Sequence, residues 1–168
     1  VHTSNEWLAS GGKDGCIRIW NSKSGKFIKQ LCNNSELPTA TNSQAMEPAH
    51  DGFIMDMKVV KYGKASSLLF SCSSDKSIKC WNVKTGSLVH HVSGAHAQSV
   101  RCLNFITPYN QASQVQQLFM ASMSIDGTLK LWNLKDFTQQ QQQAKPIVEM
   151  EAHKPSARMC LESLLKRR

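Results

Sequence analysis

The chain has 168 residues, 40% of them hydrophobic and 19% charged, which is the make-up of one ordinary globular domain and excludes an intrinsically disordered chain. No apolar run approaches the roughly 18 residues of a spanning helix, and nothing at the start reads as a signal peptide. The net charge of +8 invites a nucleic-acid partner, yet residues 1–153 hold 15 Lys and Arg against 11 Asp and Glu, and the last fifteen residues supply the other +4 through Lys154, Arg158, Lys166, Arg167 and Arg168 against Glu162.

Apolar and polar residues alternate over short stretches punctuated by Gly, Asp and Ser, which predicts strands and tight turns. In chain order, strands are expected at residues 7–10, 16–20 and 27–31, with turns at Lys13-Asp14-Gly15 and Lys23-Ser24-Gly25. A polar loop follows at 33–49. The next strands fall at 53–60, 68–73, 77–82 and 87–92, with turns at Asp75-Lys76 and Lys84-Thr85-Gly86. The last set falls at 100–106, 118–124, 128–133 and 147–151, stretched by insertions at 107–116 and 136–146, the latter carrying the run Gln139 to Gln143.

One frame recurs three times: serine, three residues, aspartate, five residues, tryptophan, asparagine. The copies are Ser10-Asp14-Trp20-Asn21, Ser71-Asp75-Trp81-Asn82 and Ser122-Asp126-Trp132-Asn133. A histidine precedes each leading strand, in Ala49-His50, Ala95-His96 and Ala152-His153. Fixed internal spacing with variable separation is the mark of a repeat architecture. The units are expected at about 1–32, 50–92 and 96–151, the first without its leading strand. A fourth begins at 153, where His153 to Arg158 aligns with His96 to Arg101, and the pattern lapses into a basic tail at 161–168. Since the first unit opens midway, the expectation is a fragment of a longer protein.

Strand-turn-strand units with His, Ser, Asp and Trp-Asn in this order resemble the blades of WD-repeat β-propellers, over about residues 6–160. Two departures hold in every unit: Ala-His replaces the usual Gly-His, and Trp-Asn the usual Trp-Asp. The resemblance implies an all-β fold, an incomplete arc of about three four-stranded blades. It also implies that the repeated polar side chains bond in series inside each blade. These are Ser10, Asp14 and Trp20; His50, Ser71, Asp75 and Trp81; and His96, Ser122, Asp126 and Trp132.

By the same resemblance, function is expected on the narrower top face, at positions three and five after the histidine and just before the turn aspartate. In this chain those are Phe53, Met55, Ser99, Arg101, Ser156, Arg158, Lys13, Ser74 and Ile125. The expected role is a non-catalytic scaffold for other proteins, intracellular (cytoplasmic or nuclear), with no cofactor, small-molecule substrate or membrane. Nucleic acid is possible but not favoured. The rival readings are a ribonucleoprotein component and the WD-repeat region of a larger enzyme such as a kinase or ubiquitin ligase.

Ser, His and Asp together also suggest a hydrolase, but a hydrolase needs one exposed nucleophile with an oxyanion hole, not three copies tied to tryptophans. The six cysteines form no C-x-x-C pair, so Cys16, Cys72, Cys80 and Cys102 are expected as buried strand residues in a reducing compartment. Arg18, Lys79 and Lys130 should pack their stems between blades with the charge in water. His90-His91 is expected on an exposed edge rather than in a metal site, and Met55, Met57, Met120 and Met123 in the core.

Overall fold

A computed structural model of the chain describes residues 2–3, 6–32, 47–62, 66–106, 118–138 and 144–151. Ser156, Arg158, the start of a fourth unit at 153 and the 161–168 tail lie outside the described residues. So do most of the 33–49 loop, the 107–116 insertion and the glutamine run.

The described residues form three separate antiparallel sheets, each of four strands. The first runs β1 (His2–Thr3), β2 (Trp7–Gly11), β3 (Ile17–Asn21) and β4 (Phe27–Leu31). The second comprises β5 (Ile54–Tyr62), β6 (Ser66–Ser73), β7 (Ile78–Asn82) and β8 (Leu88–Val92). The third holds β9 (Val100–Ile106), β10 (Phe119–Ser124), β11 (Thr128–Asn133) and β12 (Pro146–Glu151), with one 3-10 turn at Leu134–Phe137. With almost no helix and blade-like sheets in sequence order, this is an incomplete β-propeller.

One expectation is corrected. The first blade does have a leading strand, because His2 and Thr3 pair antiparallel with Ala9 and Leu8. Two residues are too few to show an alternating pattern, so this strand has no periodic signal.

The hairpin turns explain why Gly and Asp recur. Gly15, Lys76 and Gly127, each just after the frame aspartate, have φ of 71°, 72° and 81°. In each turn the aspartate Oδ1 accepts from the backbone N–H two residues on, at 3.1 Å for Cys16 and 2.9 Å for Ser77 and Thr128. Gly15 is further constrained by space, since a Cβ there would collide with the His50 carbonyl oxygen of the next blade. After the tryptophan, the Asn21 and Asn82 side-chain oxygens accept from the backbone N–H groups two and three residues on, and Asn133 accepts from Lys135 N–H. An amide oxygen therefore serves where the family usually has a carboxylate.

Each blade has a face that carries its tryptophan and an opposite face, and the opposite face of one blade packs on the tryptophan face of the next. Ala9, Ile17, Ile19 and Leu31 of the first blade meet Met57, Leu69, Trp81 and Val83 of the second. Phe70, Cys72, Ile78, Cys80 and Val92 of the second blade meet Val100, Leu103, Met120, Trp132 and Phe137 of the third. The Phe70 and Phe137 rings meet edge to face at 5.4 Å. A hydrogen bond crosses the same seam, from the Leu103 backbone N–H to the Asp56 carboxylate Oδ2 at 3.0 Å.

This layering overturns three expectations about individual side chains. Cys102 is exposed, unlike Cys16, Cys72 and Cys80, because it lies on the opposite face of the last described blade. Lys79 does not keep its charge in water: it is buried and its ammonium donates to the Ala49 carbonyl at 2.7 Å. The first blade covers Lys79, whereas Arg18 has no such cover, stays partly exposed and pairs with Asp14 at 2.8 Å. His90 is half-buried at the second seam, accepting from Ala144 N–H at 3.2 Å with its ring 5.4 Å from that of Phe137, while His91 is exposed.

Candidate functional site

The repeated frame brings its polar side chains together inside the blades. In the second blade the Trp81 indole N–H donates to Ser71 Oγ at 2.9 Å, and Ser71 Oγ lies 2.7 Å from His50 Nε2. His50 Nδ1 lies 2.9 Å from Asp75 Oδ2. Since a carboxylate only accepts, the self-consistent direction runs from indole to serine, serine to Nε2, and Nδ1–H to carboxylate. The third blade repeats this, with Trp132 N–H to Ser122 at 2.8 Å and Ser122 to His96 Nε2 at 2.7 Å. Asp126 then stands 3.5 Å from His96 Nδ1.

A fifth member went unread in the sequence. Ser77 Oγ donates to Asp75 Oδ1 at 2.6 Å and lies 2.9 Å from His50 Nδ1. Thr128 Oγ1 holds the matching place, 2.6 Å from Asp126 Oδ1 and 2.8 Å from His96 Nδ1. The available signal was a hydroxyl two residues after the frame aspartate, replaced by Cys16 in the first blade. There Trp20 donates to Ser10 at 2.8 Å, and Asp14 turns to Arg18 instead of a histidine.

The network sets the charge states. Burial alone would raise the Asp75 carboxyl, but hydrogen bonds from His50 and Ser77 outweigh it and hold Asp75 well below the usual carboxylate range. Asp126 is held low in the same way, its burial offset by Thr128 and by the Ala97 N–H. Burial pushes the His96 ring down, against the pull of Asp126.

Ser71, His50 and Asp75 thus stand in the order of a nucleophile triad, with closely similar distances. The serine nevertheless has no exposed surface, and its oxygen already accepts from Trp81. No substrate carbonyl can reach it, so the arrangement braces the blade instead of doing acyl chemistry. Cys72 and Cys80 are equally unsuited to nucleophilic work, because burial pushes both thiols up to about 12.

The remaining described candidates gather at one end of the sheets, where the turn between the second and third strands of each blade meets the start of a leading strand. Phe53 N–H donates to Ser74 Oγ at 2.8 Å, and Ser74 N–H to the Phe53 carbonyl at 3.0 Å. The third blade uses the same register, Ile125 N–H donating to the Ser99 carbonyl at 3.1 Å. Across the first seam Ile54 N–H bonds the Gly12 carbonyl, and the Lys13 ammonium sits 6.0 Å from the Phe53 ring. Phe53 and Ile125 are 49% and 53% exposed.

Met55 and Arg101 share a further feature: each occupies the irregular step where the leading strand slips against its neighbour. A bulge there re-aims the side chain. Met55 is half-buried against the second core, whereas Arg101 is exposed. The Ser99 hydroxyl is buried with no hydrogen-bond partner.

Among the described residues no cluster of His, Cys, Asp or Glu could hold a metal, and no helix is long and apolar enough to cross a membrane.

The sequence profile of the WD domain, G-beta repeat, matches residues 1–21, 42–82 and 86–133. The chain is 27% identical over 132 residues to Polycomb group protein FIE1 of Oryza sativa subsp. japonica, covering 77% of this chain and 28% of that protein. It is 30% identical over 112 residues to nuclear distribution protein nudF of Aspergillus terreus, covering 66% of this chain and 21% of that one. The chain therefore spans under a third of the length of these relatives. Its fold is shared with the computationally designed Ika8 protein, at 18% identity and a TM-score of 0.59, over 91% of this chain and 36% of that one.

Proposed function

This chain belongs to the WD-repeat family, and from that premise we propose that it is a non-catalytic scaffold that docks other proteins on the rim carrying Lys13, Phe53, Ser74, Ser99, Arg101 and Ile125. The observation that carries the reading is the contrast between the two sets of polar and aromatic residues. Those of the frame are buried and mutually satisfied. Those of the rim include an exposed aromatic beside a lysine, an exposed isoleucine, and an arginine set on a bulge. Aromatic and arginine side chains held on a rigid sheet end are the composition that dominates binding energy at protein interfaces.

Met55 belongs to the same rim with its side chain already committed to the core, and Ser156 and Arg158 hold the matching sequence positions after His153. Against a nucleic-acid partner, Arg18 pairs with Asp14, Lys130 with Glu149, and Lys79 donates to the Ala49 carbonyl, so these three described cations are already committed to internal partners.

The test is quantitative affinity capture from cells with the wild-type chain and with Lys13→Ala, Phe53→Ala and Arg101→Ala combined. The proposal expects proteins recovered with the wild type to fall about tenfold or more with the variant, consistent with loss of two or three hot-spot contacts of over 1 kcal/mol each. Recovery unchanged by all three substitutions would overturn it.

A further inference from the structure

The end of the first two blades opposite the rim gathers cations with little acid beside them. β3 and β7 run from the rim turns at Asp14 and Asp75 to Asn21 and Asn82, so the turns after those asparagines lie at the far end. The close of β5, at Lys61 and Tyr62, lies there too. Lys23 and Lys26 flank Ser24 and Gly25 in the first turn, and Lys84 stands before Thr85 and Gly86 in the second. Lys23, Lys26, Lys61 and Lys84 are exposed, and among the described residues none of them has a carboxylate within ion-pair distance. Lys29 of β4 ties the two turns together, its ammonium donating to the Lys84 carbonyl at 2.7 Å and its stem lying against Gly86.

The acids stand elsewhere. Asp14, Asp51 and Asp75 are at the rim end, and Asp56 is paired with Lys58. Glu6, whose carbonyl accepts from Ser22 N–H, is the one described acid near these two turns. The segments that join β5 to β6 and β9 to β10 at this end, 63–65 and 107–117, contain no Asp or Glu. The asparagines sharpen the imbalance. Asn21 Oδ1 accepts from the Lys23 and Ser24 N–H groups at 3.0 and 2.8 Å, and Asn82 Oδ1 from those of Lys84 and Thr85 at 2.9 and 3.2 Å. The aspartate usual in the family would accept the same bonds and set a negative charge beside each lysine turn. This chain keeps the cap and leaves the charge out.

We infer that this lysine end binds a short acidic segment of a partner protein, its carboxylates meeting Lys23, Lys26, Lys61 and Lys84. Charge complementarity sets the sign of the partner. The side chains set its class: these cations include no arginine, whose planar fork favours phosphate. The turn residues between them, Ser24, Gly25, Thr85 and Gly86, offer no plane on which a base could stack. Phe27, next to Lys26, belongs to the tryptophan face of its blade, edge to face with Trp20 at 5.5 Å. The patch sits at turn tips along the first seam and draws on neither outer face of the arc. It shares no residue with the rim, so the two docking surfaces stand or fall separately.

The test is fluorescence anisotropy of a labelled glutamate decamer titrated with the 168-residue chain in about 0.1 M salt, where charges more than about 10 Å apart are screened from each other. Two variants carry it. Lys23→Gln, Lys26→Gln and Lys84→Gln combined removes three charges. Asn21→Asp with Asn82→Asp keeps both caps and adds two negative charges. Each is expected to weaken binding about fivefold or more, the effect of a few exposed charge pairs. The rim variant Lys13→Ala, Phe53→Ala and Arg101→Ala should bind within about twofold of the wild type, its charges being screened from this end.

A wild type that does not bind the peptide, or binding untouched in either folded variant, would overturn the inference. So would tighter binding of a uridine decamer or of phosphatidylserine vesicles than of the glutamate peptide. Should a variant unfold, carbodiimide cross-linking of the peptide to the wild type, mapped by mass spectrometry, decides. Links are expected at Lys23, Lys26, Lys61 or Lys84, and links confined to other lysines would overturn the inference.

Discussion

Asp75 accepts from both Ser77 and His50, and Asp126 holds the same place with Thr128 and His96. Both carboxyls titrate below the ordinary value of about 3.9 in an unfolded chain, so their stabilisation is complete above that pH and is lost as pH falls through the folded value. His96 works in the same direction by another route. Burial lowers it below the ordinary value of about 6.5, so between the two values the unfolded chain binds a proton that the folded chain refuses. Burial lowers His90 likewise. The melting temperature should therefore fall progressively from about pH 6.5 downward and more steeply below about pH 4. Melts that hold constant or rise between pH 7.5 and 5 would contradict this.

At the scale of the hairpin, the three turns after the frame aspartate share one backbone shape but not one residue. Lys76 holds the left-handed conformation that Gly15 and Gly127 adopt without a Cβ. That conformation costs an ordinary residue about 1–2 kcal/mol, while glycine costs about 0.5–1 kcal/mol in lost chain freedom. Lys76→Gly should therefore stabilise the chain by about 0.5–1 kcal/mol, a rise of roughly 1–4 °C in Tm for a chain of this size. A lower Tm would show that the Lys76 side chain contributes something the turn geometry does not reveal.

The leading strands make a second point about elements. Met55 and Arg101 are equivalent by repeat position, yet one leans on a core and the other stands exposed. A bulge fixes the backbone irregularity, and the side chain then decides between packing and display.

Across the whole molecule, exposure follows which face has a neighbouring blade. Native alkylation with iodoacetamide at pH 7.5 should spare Cys72 and Cys80, buried in the seam with thiols pushed up to about 12. Cys102, exposed on the opposite face of the third blade, should react readily. Labelling of Cys72 as fast as Cys102, read by mass spectrometry, would mean the seam opens far more freely than its packing implies.

The same principle explains what could be read in the sequence. Strand order, the turns and the Ser-Asp-Trp frame were legible because tryptophan falls ten positions after serine in every copy, a spacing set by one hairpin. The burial of Lys79, the exposure of Cys102 and the seam contacts of His90 were not, because each depends on a neighbouring blade far away in the chain. Ser77 and Thr128 were missed for a simpler reason: a hydroxyl after a turn is common, and only the position of the histidine makes it part of a network.

Braces and rim are thus separate sets of residues on one scaffold, and thermal unfolding of two variants separates them. Asp75→Ala leaves the His50 and Ser77 donors unsatisfied inside the blade, at a cost of about 1–3 kcal/mol, which corresponds to a fall of roughly 2–12 °C. The combined Lys13→Ala, Phe53→Ala and Arg101→Ala chain removes largely exposed groups and should melt within about 2 °C of the wild type. An Asp75→Ala chain that melts with the wild type, or a rim variant that falls as far as Asp75→Ala, would contradict this division of roles.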